Sequence, residues 1–121
     1  MASQSISRTA PTVVSTSSVV SSLLTVQTSG RGFVDLTSAI AQFVDEANAV
    51  EGQLTAFIRH TSASLTIQEN ADPTVLQDLT TALDRLAPED VRWTHDTEGP
   101  DDMPAHVKTM VTATSQQIPV L

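Results

Sequence analysis

The sequence predicts an α+β domain, and three stretches carry that reading. Residues 53–60 alternate, with Leu54, Ala56, Ile58 and His60 on one face and Thr55, Phe57 and Arg59 on the other. That period of two marks a half-buried strand. After Asp72-Pro73, the residues Val75, Leu76, Leu79, Leu83 and Leu86 recur at helical spacing. Residues 116–121 read as a further strand. Both periods occur within 121 residues, the size of one domain whose core is sizeable but not generous.

Residues 1–18 are rich in Ser and Thr and contain no acid. They lack the Arg-rich pattern of a transit leader and the apolar run of a signal peptide, so a loosely attached tail is expected. Residues 19–28 have strand composition, and Gly30-Arg31-Gly32 breaks the run. Asp35 or Thr37 can cap a helix that carries Ile40, Phe43, Val44 and Ala47 at helical spacing. Beyond the strand at 53–60, Leu65 and Ile67 mark a second short strand, so a hairpin-like pair around Thr61-Ser62 is expected. Asp72 supplies an N-cap and Pro73 the first helical position of the next helix, which runs to Pro88. Its Leu stripe reads as core, with Gln77, Asp78, Thr81 and Asp84 outward. Gly99-Pro100 favours a turn. Asp101 or Asp102 then caps a short third helix, with Pro104 near its start. Residues 19–121 are expected to form a single domain, with no repeat and no interdomain linker.

Composition excludes several function classes. No cysteine is present, so there is no disulfide framework and no thiolate ligand or nucleophile, which fits a reducing cytoplasm. Residues 35–121 hold all fourteen acids against Arg59, Arg85, Arg92 and Lys108, a net charge of −10. Nucleic acid is not an expected partner, because phosphate neutralisation needs clustered Lys and Arg. No apolar run is long enough to span a membrane as a helix. Gly30-Arg31-Gly32 is too short for a phosphate loop. Neither Ser62 nor Ser64 sits in the strand–turn–helix elbow of a serine nucleophile.

The informative stretch is residues 95–106, His-Asp-Thr-Glu-Gly-Pro-Asp-Asp-Met-Pro-Ala-His. Two of the three histidines, His95 and His106, bracket four carboxylates. Clustered imidazole and carboxylate groups suit a divalent ion or acid–base chemistry. A solvated acidic loop has the same composition, since loops attract Asp, Gly and Pro. His60 ends the alternating run and could face the same place, though a lone histidine on an apolar face is more often a core residue.

The run from His60 to Pro73, His-Thr-Ser-Ala-Ser-Leu-Thr-Ile-Gln-Glu-Asn-Ala-Asp-Pro, resembles a signature of the YjbQ-like family. So does Glu98-Gly-Pro-Asp-Asp-Met-Pro-Ala-His106, followed by Lys108 and by Ile118-Pro119-Val120. Gly30-Arg31-Gly32-Phe33 and Asp35-Leu36-Thr37 match the family's N-terminal portion. The resemblance covers about residues 20–121. It implies an α+β domain with a curved or barrel-like, mostly antiparallel sheet, two main helices and one short helix, assembled as a homotrimer. It further implies a secondary thiamine-phosphate synthase, a transferase joining an aminopyrimidine diphosphate to a thiazole phosphate with release of pyrophosphate. In that reading His60, His95 and His106 hold a divalent metal ion, zinc or magnesium. Glu98, Asp101 and Asp102 orient a histidine or the substrate as catalytic groups. Ser62, Asn70 and Lys108 bind the phosphorylated small-molecule substrate. The alternative is a non-catalytic metal- or small-ligand-binding trimer, or an inactive truncated relative. Family members continue past Ile-Pro-Val with a Gly-Thr-Trp-Gln motif and a Glu-His-Arg stretch. The sequence stops at Leu121, so a C-terminally incomplete domain is expected.

Overall fold

Strand β1 (Gly52–Phe57) pairs antiparallel with β2 (Ser115–Val120), in a register that sets Gly52 opposite Val120 and Phe57 opposite Ser115. Three helices complete the computed structural model, which describes residues 4–69 and 71–121: α1 (Thr37–Glu46), α2 (Pro73–Leu86) and α3 (Asp102–Met110). The class is α+β, with a two-stranded sheet among the described residues. The alternation of residues 53–58 is realised: Leu54, Ala56 and Ile58 are half-buried, while Gln53, Thr55 and Phe57 are exposed.

The helices begin where local chemistry starts them. Asp72 takes an extended conformation and accepts a hydrogen bond from the Thr74 amide at 2.9 Å, with Pro73 at the first helical position. That pairing satisfies one of the free amides of the first turn. For α1, Asp35 Oδ1 accepts from the Thr37 amide at 2.9 Å. The expected stripe of α1 is the half-buried one, namely Ile40, Phe43, Val44 and Ala47. In α3, Pro104 falls within the first turn, where its missing amide leaves no helical acceptor unfilled.

Two expectations are corrected. Residues 19–28 join no strand and are exposed throughout. The hairpin around Thr61-Ser62 does not form either. There the Ser62 amide donates to His60 Nδ1 at 3.0 Å, and β1 takes the distant β2 as its partner. The second strand reduces to one bridge, in which Leu65 exchanges both backbone hydrogen bonds with Ala113. Residues 4–18, expected as a tail, are exposed and hold no helix or strand.

Burial is sparse. Among the described residues Ala87, 1% exposed at the end of α2, and Pro104, in α3, are the fully buried side chains. The accessible surface is 10291 Å², whereas a compact monomer of this mass has roughly 6300 Å². The Leu stripe of α2 is accordingly half-buried at Val75, Leu76, Leu79 and Leu83, and Leu86 is exposed. Leu79→Ala is therefore expected to cost about 1–2 kcal/mol, part of the full-burial value of about 1.5–3 kcal/mol. Typical losses at closed sites are about 2–5 kcal/mol. Denaturant unfolding checks this, and a loss below about 0.5 kcal/mol would show that the stripe faces solvent.

One charged group ties three segments together. Asp84 Oδ1 accepts from Lys108 Nζ at 2.9 Å and lies 3.4 Å from Arg31 Nη1, which also reaches Glu89 at 3.2 Å. The Lys108 hydrogen bond is the main cause holding the Asp84 carboxyl below its ordinary value of 3.8, with Arg31 adding to it. Asp84 is 34% and Lys108 19% exposed, so Asp84→Asn is expected to cost about 1 kcal/mol, the upper part of the range for solvent-screened pairs. A lowered carboxyl stabilises the fold above its unfolded value and loses that contribution as pH falls through its folded value. The melting curves of Asp84→Asn and the unsubstituted chain should therefore separate at neutral pH and converge in acid.

Candidate metal centre

His95 lies in the segment between α2 and α3, and Asp102 and His106 lie on α3. The i,i+4 spacing puts the last two on one helix face. Gly99 makes the turn that returns His95 to this face. Its φ is +105°, and a Cβ there would stand 3.0 Å from Asp101 Oδ1, so the position is built for glycine.

His95 Nε2 is 2.7 Å and His106 Nε2 3.1 Å from the same oxygen, Asp102 Oδ2. The two rings meet edge to face, 5.6 Å between centroids. One ligand atom from each of His95, Asp102 and His106 lies within 4.8 Å of the others. His106 Nδ1 faces the Thr61 carbonyl at 3.1 Å. A carbonyl only accepts, so Nδ1 is the donor in this contact, and Nε2 is the nitrogen left to bind an ion once unprotonated. Orientation of a ligating histidine by a backbone carbonyl is the usual outer support of a metal site. The Thr109 hydroxyl donates to the same carbonyl at 3.2 Å, which holds the 60–62 turn against α3.

The hydrogen bond with Asp102 is the largest cause raising the His95 pKa above 6.5, and Glu98, whose Oε2 lies 3.3 Å from His95 Nε2, adds to it. The same bond with His95 is the largest cause holding the Asp102 carboxyl below 3.8, with His106 contributing. The donor set fits a divalent ion. Ligand atoms around a tetrahedral zinc, bonded at about 2.0–2.1 Å, stand roughly 3.3 Å apart, against the 2.7 and 3.1 Å seen for the two histidines and Asp102. Two imidazoles with one carboxylate are a zinc-type set, whereas magnesium is held by oxygen.

The other expected site residues fall around this centre or away from it. His60 stays outside the three-residue set. Its Nδ1 accepts from the Ser62 amide and lies 3.1 Å from Ser62 Oγ, so the ring and the half-buried Ser62 are occupied with each other. The strand ends at Phe57, and His60 is exposed rather than on the apolar face. Glu98 is 65% exposed at the rim. Asp101 is exposed at the α3 N-cap and makes no side-chain cap bond. Lys108 points to Asp84, not to the histidines. Asn70 lies outside the described residues. Asp102, expected to orient a histidine or the substrate, meets both His95 and His106, and its i,i+4 relation to His106 is the signal in the sequence.

A family model for the UPF0047 protein YjbQ-like family matches residues 22–121. The chain is 47% identical over 100 residues to the UPF0047 protein sll1880 of Synechocystis sp., covering 82% of this chain and 68% of that protein. It is 42% identical over 98 residues to the UPF0047 protein YjbQ of Escherichia coli O157:H7, covering 80% and 71%. The fold superposes, with a TM-score of 0.66 and 37% identity, on the crystal structure of an uncharacterized conserved YjbQ/UPF0047 protein from Clostridium acetobutylicum. That match covers 72% of this chain and 65% of the crystallised one, so the chain spans just under two thirds of the latter's length. The thiamine-phosphate synthase reading and its transferase chemistry are overturned here. These relatives bear UPF0047 names that state no such activity, and the crystal structure is of an uncharacterized protein. What the motifs, the family model and the superposition establish together is membership: the chain belongs to the UPF0047 YjbQ-like family.

Proposed function

We propose that this chain is a divalent-metal-binding domain that holds zinc through His95 Nε2, His106 Nε2 and an Asp102 carboxylate oxygen. The observation that carries the reading is the His106 ring, whose Nδ1 donates to the Thr61 carbonyl while its Nε2 meets the same Asp102 oxygen as His95. Three protein ligands leave one position for water or a small ligand, and a zinc ion there would supply Lewis-acid polarisation of that ligand. Glu98, at the rim beside His95, is placed to accept a proton from a group in that position. The reading extends to self-association as a homotrimer, supported by the large accessible surface, and to a cytoplasmic setting, supported by the cysteine-free sequence.

Zinc titration of the metal-free protein against a chromophoric chelator tests the site. One zinc per chain is expected, with loss of that binding in His106→Ala and its retention in His60→Ala. Equal retention in both variants would move the ion elsewhere.

A further inference from the structure

A cleft of about 300 Å³ opens beside the proposed metal centre, and His95 belongs to both. All of its walls come from one segment, residues 89–100, between α2 and α3. That segment is closed by its own bonds. The Trp93 indole N–H donates to the Pro88 carbonyl at 3.1 Å, and the Trp93 amide donates to the Val91 carbonyl at 3.0 Å. The indole has no second donor, so it offers the cleft only the carbons of its ring. With Val91 it forms an apolar wall.

Besides the histidine, Glu89, Arg92 and Asp96 bring charge to the cleft. Glu89 is already paired with Arg31, at 3.2 Å. Arg92 and Asp96 have no ion-pair or hydrogen-bond partner among the described residues, and they do not pair with each other. The cleft therefore presents one available guanidinium and one available carboxylate beside an apolar wall. A guanidinium takes a carboxylate through two parallel N–H bonds, and a carboxylate takes an ammonium. A purely anionic ligand would face Asp96 and a purely cationic one would face Arg92, and like charges disfavour both. The ligand that answers every wall carries a carboxylate, an ammonium and an apolar group. An α-amino acid with an apolar side chain is the simplest such class, and the volume lies at the small end of ligand sites.

We infer that this cleft binds a free amino acid with an apolar side chain. Its carboxylate pairs with Arg92, its ammonium with Asp96, and its side chain lies against Trp93 and Val91. Because His95 lines the cleft and belongs to the metal set, the bound amino acid lies beside the open zinc position. The inference names the ligand class of the proposed centre, and for this last point alone it rests on the zinc reading.

Trp93 is the only tryptophan in the sequence, so its fluorescence reads the cleft directly. The zinc-loaded full chain is titrated with L-leucine, with isocaproate, which lacks the ammonium, and with isoamylamine, which lacks the carboxylate. A saturable change is expected with leucine, and each analogue should bind about tenfold more weakly or worse, the least that loss of a hydrogen bond between charged groups costs. Arg92→Gln should weaken leucine to the same extent and leave isoamylamine unchanged. Asp96→Asn should weaken leucine and leave isocaproate no weaker. Both variants should keep one zinc per chain, which shows that the fold and the metal centre are intact. No response to leucine in protein that holds one zinc per chain overturns the amino-acid cleft and leaves the metal reading standing. An analogue that binds as tightly as leucine overturns it as well, by showing that only one of the two charges is read. The expected leucine pattern in a chain that takes up no zinc supports the cleft and removes the metal reading.

Discussion

Replacing Asp102 with alanine is expected to weaken zinc binding by more than about 100-fold, because loss of a mere outer-shell partner already costs about 10–100-fold. The substitution removes the oxygen on which both His95 Nε2 and His106 Nε2 converge. Competitive titration reads the effect, and a change within about threefold would show that Asp102 does not ligate. The pH dependence follows from the same contacts. Zinc requires unprotonated imidazole, and Asp102 raises the His95 pKa above 6.5. Affinity should therefore fall as pH drops through that raised value. The metal-free protein should behave in the opposite sense. A raised histidine stabilises the fold fully below its unfolded value and loses that contribution as pH rises through the folded one. Asp102, lowered by His95, contributes above 3.8 and loses its part as pH falls through its folded value. The metal-free fold thus gains from this pair in mild acid, and the zinc-bound fold gains at neutral pH and above.

The second large effect is expected at Ala87, which is 1% exposed and ends α2 with its amide donating to the Leu83 carbonyl at 2.9 Å. Ala87→Leu would force three more carbons into a fully buried position at the end of α2, a helix that packs on α3. Overpacking of this kind costs about 1–3 kcal/mol. Because α3 carries Asp102 and His106, the same change should weaken zinc binding as well as lower the melting temperature. A variant as stable as its parent would show that the junction is open.

How far the sequence can be read depends on the range of the interaction. Asp72-Pro73 starts a helix through a bond to Thr74, two residues away, and the stripes of α1 and α2 follow from spacing alone. The alternation of β1 is equally local. Its partner is not: nothing near Leu54 specifies Ile118 rather than Leu65, and the short-range hairpin was the simpler expectation. Strand composition at 19–28 reports a preference for extended backbone, which becomes a strand only where an edge receives it. The site divides in the same way. The i,i+4 pair of Asp102 and His106 was legible, and the return of His95 depends on the turn at Gly99-Pro100. The placement of His60 depended on where β1 ended, and strand ends are weakly encoded. The strand ends at Phe57, and His60 beyond it meets Ser62 rather than the three-residue cluster.

The central claim is tested most directly by anomalous diffraction from crystals of the zinc-loaded protein, with data collected on both sides of the zinc absorption edge. The account predicts one strong peak per chain, about 2.0–2.2 Å from His95 Nε2, His106 Nε2 and an Asp102 carboxylate oxygen, with His106 Nδ1 still on the Thr61 carbonyl. A peak held by His60 without Asp102, or no peak between these three residues in crystals that contain zinc elsewhere, would contradict it.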